Sequence, residues 1–253
     1  MDAVIAHFDG VAERYDEVLP FFSGFAGLAV EQLAPPVGVR ALDLAAGRGA
    51  LTEALLARGA DVTAVDAAPR MVALLQAAHP GVPATVMDVS RLGFPDDSFN
   101  LVVCGFAIHI VTDPEATLRE ALRVTRPGGR LAFTVPGRAD GSPDPWDDPL
   151  VELYAEYRRY QQSGHGRQGN DFDFEDGFPG LEDLTAATLE VAIPVPDGET
   201  YWRWSRSHGS GRFIDNLTAF RRAEMHARLL EQMVERPGFV LRRSATLWTA
   251  RRG

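Results

Sequence analysis

The sequence predicts an α/β fold wound around a doubly wound, largely parallel sheet, and three observations carry that prediction. Short apolar runs alternate with helical stretches from about residue 40 to residue 135, the rhythm that places successive strands side by side with a helix crossing between them. The run Ala41-Leu42-Asp43-Leu44 breaks into Ala45-Ala46-Gly47-Arg48-Gly49 and resumes as Leu51-Thr52-Glu53-Ala54-Leu55-Leu56-Ala57, which reads as strand, tight turn and helix. Two later apolar runs also finish on an acid, at Asp66 and at Asp88.

The glycine turn organises the rest of the chain. Glycine takes backbone angles that other residues avoid and lets a ligand lie against the main chain. The free N–H groups at the start of the next helix face whatever sits there. By itself a Gly-x-Gly corner fits NAD enzymes, nucleotide enzymes and methyl-transfer enzymes alike.

The elements follow in order. Residues 1–39 read as two helices, the first around Phe8–Asp16 and the second over Phe21–Leu33, which Pro35-Pro36 ends; they are expected to cap the mouth of the sheet. After the corner come a strand at Ala60–Asp66, a helix from Pro69 to Ala78 with proline in its first turn, and a strand at Pro83–Asp88. A turn through Phe94–Phe99 leads to a strand at Asn100–Phe106, an amphipathic helix at Pro114–Thr125 stopped by Pro127-Gly128-Gly129, and a strand at Arg130–Val135. Beyond Pro136 the rhythm breaks. Arg138–Pro149 is a polar, proline-rich connection, Leu150–Tyr160 a helix with a tyrosine-bearing face, Asp171–Gly177 an acidic loop, and Ala187–Ile193 a strand. Helices at Tyr201–Ser207 and Leu217–Glu235 and a last strand at Val240–Ala250 complete the chain. The expected organisation is cap helices at 1–39, a cofactor-binding core at 40–136, a cap insertion at 137–185, and a return to the sheet with lid helices at 186–253.

Composition narrows the function. A chain of 253 residues, 45% hydrophobic and 24% charged, can bury a sizeable core as one domain. Its net charge of -10 argues against nucleic acid or an anionic membrane as the main partner. No apolar run reaches membrane length, and Met1-Asp2-Ala3-Val4 lacks the basic start and apolar core of a secretory signal, so a cytoplasmic protein is expected. The single cysteine, Cys104, lies in the apolar run Leu101-Val102-Val103-Cys104, which reads as core packing and leaves no partner for an internal disulfide or a cysteine zinc site. All 25 cationic side chains are arginine. Schiff-base chemistry, a P-loop lysine and Ser-Lys catalysis are thereby excluded.

Taken in order, Phe8…Ala12…Tyr15-Asp16, Leu42-Asp43-Leu44-Ala45-Ala46-Gly47-Arg48-Gly49, Val65-Asp66, Asp88 and Arg123-Val124-Thr125-Arg126-Pro127-Gly128-Gly129 resemble the class I S-adenosylmethionine-dependent methyltransferases. Among these the sequence is similar to the ubiquinone/menaquinone-biosynthesis (type 11) small-molecule enzymes. The resemblance spans roughly residues 8 to 135, and Ala245-Thr246-Leu247-Trp248-Thr249-Ala250-Arg251 looks like the family's last strand. It implies a Rossmann-like, seven-stranded, mostly parallel sheet with an antiparallel last strand, and S-adenosylmethionine as cofactor. By position, Asp43 and the loop Ala45–Gly49, with Gly47 at its centre, would cradle the methionine part. Asp66 would hold the ribose hydroxyls beside Ala67, Asp88 and Val89 would read the adenine edge, and Met71 would pack on the adenine ring. Tyr15 would close over the cofactor, with Phe106 completing its surroundings. One departure stands out: the family's first loop glycine is Ala45 here, which is strained if its φ is positive.

Read from the residues alone, Asp66 is either a ribose ligand or a helix N-cap. His109, one turn past the fourth strand, is either a base that takes a proton from the methyl acceptor or a scaffold histidine bonding the loop backbone. His165, His208, Tyr154 and Tyr160 are lesser candidates. The aromatic stretch Glu199–His208 would either line an acceptor pocket or pack a lid on the sheet. Asp171, Asp173, Glu175, Asp176 and Glu182 only vaguely imitate a calcium loop, and no metal is expected.

Against an NAD reductase stand the missing third glycine in Gly47-x-Gly49-x-x-Thr52, the charge of Asp43 where a pyrophosphate would lie, and the absence of lysine. The expected function is methyl transfer to a small-molecule acceptor, at an O, C or N atom, in specialised-metabolite or quinone-like biosynthesis. The alternatives are a cofactor-binding cyclase, hydroxylase or partner protein that moves no methyl group, or an NAD-dependent reductase.

Overall fold

The computed structural model describes residues 3–161, 174, 179–209 and 211–253. Its centre is one seven-stranded sheet in the order β3-β2-β1-β4-β5-β7-β6. The strands are β1 (Arg40–Leu44), β2 (Asp61–Asp66), β3 (Ala84–Val86), β4 (Phe99–Gly105), β5 (Thr125–Pro136), β6 (Leu181–Pro194) and β7 (Val240–Arg252). β1 to β5 pair in parallel, whereas β7 runs antiparallel to both β5 and β6. Strands buried on both faces favour near-continuous apolar runs, which is why β1, apart from Asp43, and Leu101–Cys104 of β4 do not alternate.

The pleat sends successive side chains to opposite faces. Ala41, Val62, Leu101, Val103 and Ala132 form one buried cluster with α2 (Phe21–Leu33), α3 (Ala50–Ala57), α6 (Pro149–Tyr157), α7 (Gly198–Ser205) and α9 (Ala219–Val234). Their neighbours Leu42, Leu44, Val102, Cys104, Leu131 and Phe133 pack under α5 (Pro114–Val124) on the other face. α4 (Pro69–Ala78) closes over Ala64 and Ala84 with Val72 and Leu75. At the N-terminus, α1 (Ala3–Val11) and a 3-10 turn at Ala12–Arg14 lie against α4, where Met71 packs with Ala12 and Ala68. A short helix, α8 (Gly211–Asp215), precedes α9.

Several boundaries differ from the expected ones, each for a local reason. The third strand is only Ala84–Val86, so Asp88 sits in the loop beyond it. The fifth strand begins at Thr125 rather than Arg130, because the Arg126–Gly129 segment is accommodated as a register shift against Phe99 and Leu101, with Gly128 at φ +72°. β6 extends from Leu181, six residues before the apolar pattern starts. That portion carries Glu182, Asp183 and Thr185 on the exposed edge of the sheet, where polar residues are expected. The last helical region divides at Leu217-Thr218, where the Thr218 hydroxyl accepts the N–H of Arg221 at 3.3 Å and starts α9. Among the described residues no helix is long and apolar enough to cross a membrane, and no cluster of histidine, cysteine or acidic residues is placed to hold a metal ion.

Candidate cofactor and acceptor site

Strand tips β1, β2 and β4 open into a cleft at the carboxyl edge of the sheet, where strand order reverses and ligands lie in such folds. The turn after β1 has a left-handed backbone at three positions, Ala45 (φ +52°), Gly47 (φ +56°) and Gly49 (φ +97°). Ala45 thus holds a conformation that costs an alanine about 1–2 kcal/mol relative to the right-handed region. A Cβ added at Gly47 would meet only the ring of Tyr15, at 3.8 Å, so the loop presents bare backbone to the cleft.

Asp43 lies at the back of this turn and is 1% exposed. Its Oδ2 accepts the Thr52 hydroxyl at 2.7 Å, while its Oδ1 is buried with no hydrogen-bond partner. Burial pushes this carboxyl up to about 7 against the pull of the Thr52 bonds. An orphaned buried carboxylate oxygen is costly, and a cation arriving beside it would supply the missing partner and favour the charged form.

Asp66, at the end of β2, fastens the turn to its neighbour strand. Its Oδ2 accepts the Gly47 N–H and its Oδ1 the Ala68 N–H, both at 2.8 Å. Burial raises its pKa although these backbone bonds oppose the shift. Ala68 is the residue at the cap position of α4, so Asp66, two residues earlier, makes an Asx-type bond to the cap residue and is not the N-cap itself. Asp88 is exposed at the rim, where its Oδ1 accepts both the N–H (2.9 Å) and the hydroxyl (2.8 Å) of Ser90.

Two cavities flank the turn. One of about 280 Å³ is lined by Asp43, Ala45, Gly47, Gly49, Gly105 and Thr134, among others. The second, of about 410 Å³, is lined by Asp66, Ala67, Met71, Asp88, Val89 and Ala107. The cofactor candidates therefore surround one continuous cleft wall, Met71 being 1% exposed behind it.

A third, larger cleft of about 710 Å³ opens beside them, lined by Phe21, Phe22, His109, Tyr154, Trp204 and His208. Tyr15 and Phe106 line all three spaces. Tyr15 stacks on Phe22 with ring centroids 4.6 Å apart and planes 8° from parallel. Its segment is held by Arg48, whose Nη1 donates to the carbonyls of Glu13 (3.1 Å) and Tyr15 (3.0 Å) and pairs with Glu17 at 2.8 Å. Phe106 is a non-glycine residue at φ +53°, pinned by its N–H to the Thr134 carbonyl at 3.0 Å. Such a conformation costs on the order of 1–3 kcal/mol and persists where the surroundings impose it.

His109 belongs to the large cleft rather than to the glycine cleft. Its Nδ1 is buried without a hydrogen-bond partner, so it bonds no loop carbonyl through that atom. Burial lowers its pKa to about 4, as it does for His208; both rings are therefore neutral at pH 7. His208 Nδ1 donates to the Trp204 carbonyl at 2.9 Å, which leaves the proton off Nε2. Of the aromatic stretch, Trp204 and His208 reach the cleft. Tyr201 is fully buried and donates to Asp148 instead, 2.6 Å to Oδ2, while Trp202 stacks on His226 at 4.7 Å. Tyr154 lines the cleft; Tyr160 lies against the Arg221 guanidinium at 4.0 Å, outside it. His165 and the acids Asp171, Asp173, Glu175 and Asp176 lie outside the described residues.

Phe21, Phe22, Gly105 and Thr134 line the site without having been given a role from sequence, and Arg48 was given one only as part of the loop Ala45–Gly49. Arg48, between the two glycines, was legible as a loop residue. Gly105 ends a strand where a Cβ would come within 2.9 Å of Leu51, a constraint that no sequence pattern announces.

With this geometry in view, comparison with known proteins gives a consistent result. Residues 42–133 match the family model described as "Methyltransferase domain". The demethylmenaquinone methyltransferase of Renibacterium salmoninarum is 34% identical over 161 residues, covering 62% of this chain and 65% of that protein. The malonyl-[acyl-carrier protein] O-methyltransferase of Halorhodospira halophila is 42% identical over 204 residues, covering 77% of this chain and 63% of its own. The chain thus spans slightly less than two thirds of the length of these curated relatives. Among solved structures, the YcgJ protein of Bacillus subtilis superposes with a TM-score of 0.58 at 19% identity, over 90% of this chain and 97% of that one, a likeness of fold.

In sheet order and in the matched residues the chain is similar to the class I S-adenosylmethionine-dependent methyltransferases. The cofactor of that class is S-adenosylmethionine. The glycine cleft fits it on physical grounds, since the unpartnered Asp43 Oδ1 and the bare backbone at Gly47 suit a cationic amino-acid group.

Proposed function

We propose that this protein transfers the methyl group of S-adenosylmethionine to a small molecule held in the 710 Å³ cleft. The observation that carries this reading is the shared wall: Tyr15 and Phe106 line both the glycine cleft and the aromatic cleft, so ligands in the two would meet at those rings. When bound, S-adenosylmethionine supplies a methyl group already activated by its positive sulfur.

What the chain's own residues add is binding and alignment. Asp43 would hold the methionine ammonium, helped by the Ala45–Gly49 backbone. Asp66 would accept the ribose hydroxyls with the lone pairs not used by Gly47 and Ala68, beside Ala67. Asp88 and the Val89 N–H would read the adenine edge, with Met71 under the ring. Tyr15, drawn down by Arg48, would cover the site and exclude water. Orientation of this kind can lower a barrier by about 7 kcal/mol or more. The neutral His109, which lines that cleft, would accept a hydrogen bond from the acceptor. A cytoplasmic location and an acceptor related to quinones or specialised metabolites go with this reading, the acceptor class supported by the names of the curated relatives.

The test is incubation of the full chain with methyl-labelled S-adenosylmethionine and a panel of small phenols, quinols and organic acids. Label is expected in a small-molecule product, with the demethylated cofactor released. Label found only on protein or RNA, or an acceptor rearranged with no cofactor consumed, would overturn the proposal.

A further inference from the structure

We propose that the acceptor carries a carboxylate and that Arg212, at the large cleft, is the residue that selects it; this rests on reading that cleft as the acceptor site. The chain contains 35 acidic residues and a net charge of -10, yet neither aspartate nor glutamate lines this cleft, whereas Arg212 and Arg243 do. The two arginines differ. Arg243 is paired to the buried Asp148, the same carboxylate that takes the Tyr201 hydroxyl and starts α6 through the Leu150 N–H at 2.7 Å. Its charge is balanced within the fold.

Arg212 has no such balance. It is half-buried on α8 and its guanidinium makes no ion pair or hydrogen bond among the described residues. The carboxylate on its own helix, Asp215, is committed elsewhere, to Arg206 at 2.8 Å and Arg222 at 3.5 Å. Around it, His7 donates to the His208 carbonyl at 3.3 Å, and burial with the neighbouring Arg212 charge keeps His7 below its usual pKa. With His109 and His208 also neutral, no anion among the described residues lining the cleft competes for the guanidinium.

A planar guanidinium pairs with a carboxylate through two parallel hydrogen bonds. Lining the same cleft, Phe21, Phe22, Phe106 and Trp204 offer ring surface for an apolar body. An uncharged acceptor would leave Arg212 without a partner, and a cationic one would be repelled. The matching molecule is an organic acid with an aromatic or aliphatic body.

The experiment titrates the full chain, saturated with S-adenosylhomocysteine and again without it, with 1-naphthoate and octanoate and with their uncharged amides. Binding is read by calorimetry and by the fluorescence of Trp204 and its neighbours. At least one acid is expected to bind about tenfold or more tightly than its amide, as for a hydrogen bond to a charged group. Arg212→Gln removes that preference without changing amide or S-adenosylhomocysteine affinity, and Arg212→Lys retains part of it. Equal affinity for acid and amide, no binding of either acid, or a preference that survives in Arg212→Gln overturns the proposal. Absence of S-adenosylhomocysteine binding strikes the methyl-transfer reading instead, and the acid-to-amide ratio of the unliganded chain still decides the role of Arg212.

Discussion

The backbone N–H of Gly47 donates to Oδ2 of Asp66 at 2.8 Å, across 19 residues of sequence. One carboxylate thus fixes the glycine turn after β1 to the tip of β2, and its other oxygen holds Ala68 at the entrance to α4. The same group that would grip the ribose also sets the shape of the loop beneath it.

Asp66→Ala should therefore act twice. The N–H groups of half-buried Gly47 and buried Ala68 lose their acceptor, at about 1–3 kcal/mol for each group left unsatisfied, so the melting temperature falls. The stabilisation that S-adenosylhomocysteine gives, which grows with its saturation of the folded state, should vanish. Thermal melts of both proteins with and without that ligand check this; an undiminished ligand shift in the variant removes the ribose assignment.

Asp43 makes a prediction whose sign depends on pH. Its carboxyl titrates at about 7 in the folded protein, against about 4 in an unfolded chain. The folded state therefore holds this proton more tightly, and its contribution to stability is present below about pH 4 and lost as pH rises through 7. Asp43→Asn, which cannot ionise, should melt higher than the wild-type protein at pH 8, and the difference should shrink toward pH 5. The same variant should bind S-adenosylmethionine more weakly at pH 8, where the ammonium loses its counter-charge. A variant that is less stable at every pH would show that Asp43 is held ionised by a partner the structure does not contain.

His109 has the opposite linkage. Its ring titrates at about 4 when folded and near 6.5 when unfolded. Its contribution to stability is present above pH 6.5 and is lost as pH falls toward 4. His109→Gln should reduce the acid loss of stability between pH 6.5 and 4.5. With an accepted substrate, turnover should fall about a hundredfold or more with little change in KM, and wild-type turnover should show no limb near pH 6.5. A ring resonance titrating near 6.5 by NMR would contradict this account.

What the sequence disclosed follows physical range. Asp43, Asp66 and the glycine turn were legible because a buried parallel strand reads as an apolar run, and the residue at its tip is one step away in the chain. The short third strand was less so, and Asp88 stands beyond it in a Ser90-bonded loop. Ala45 could be flagged as a departure, but its positive φ was open until the backbone was seen. The aromatic cleft was only half legible. Phe21 and Trp204 face one another at 5.2 Å although 183 positions separate them, and only the closing of the sheet by β7 and β6 brings α7 back to α2. The division between Arg243, balanced by Asp148, and the unpaired Arg212 is likewise a tertiary fact, invisible in a chain where every cation is arginine.

The most direct test of the central claim is a crystal structure of the protein grown with S-adenosylhomocysteine. The account predicts the amino-acid end beside Asp43, the ribose diol on Asp66, the adenine between Met71 and Asp88, and the sulfur at the wall shared by Tyr15 and Phe106. Ligand lodged outside this cleft, or Asp43 and Asp66 making no contact with it, would contradict the claim.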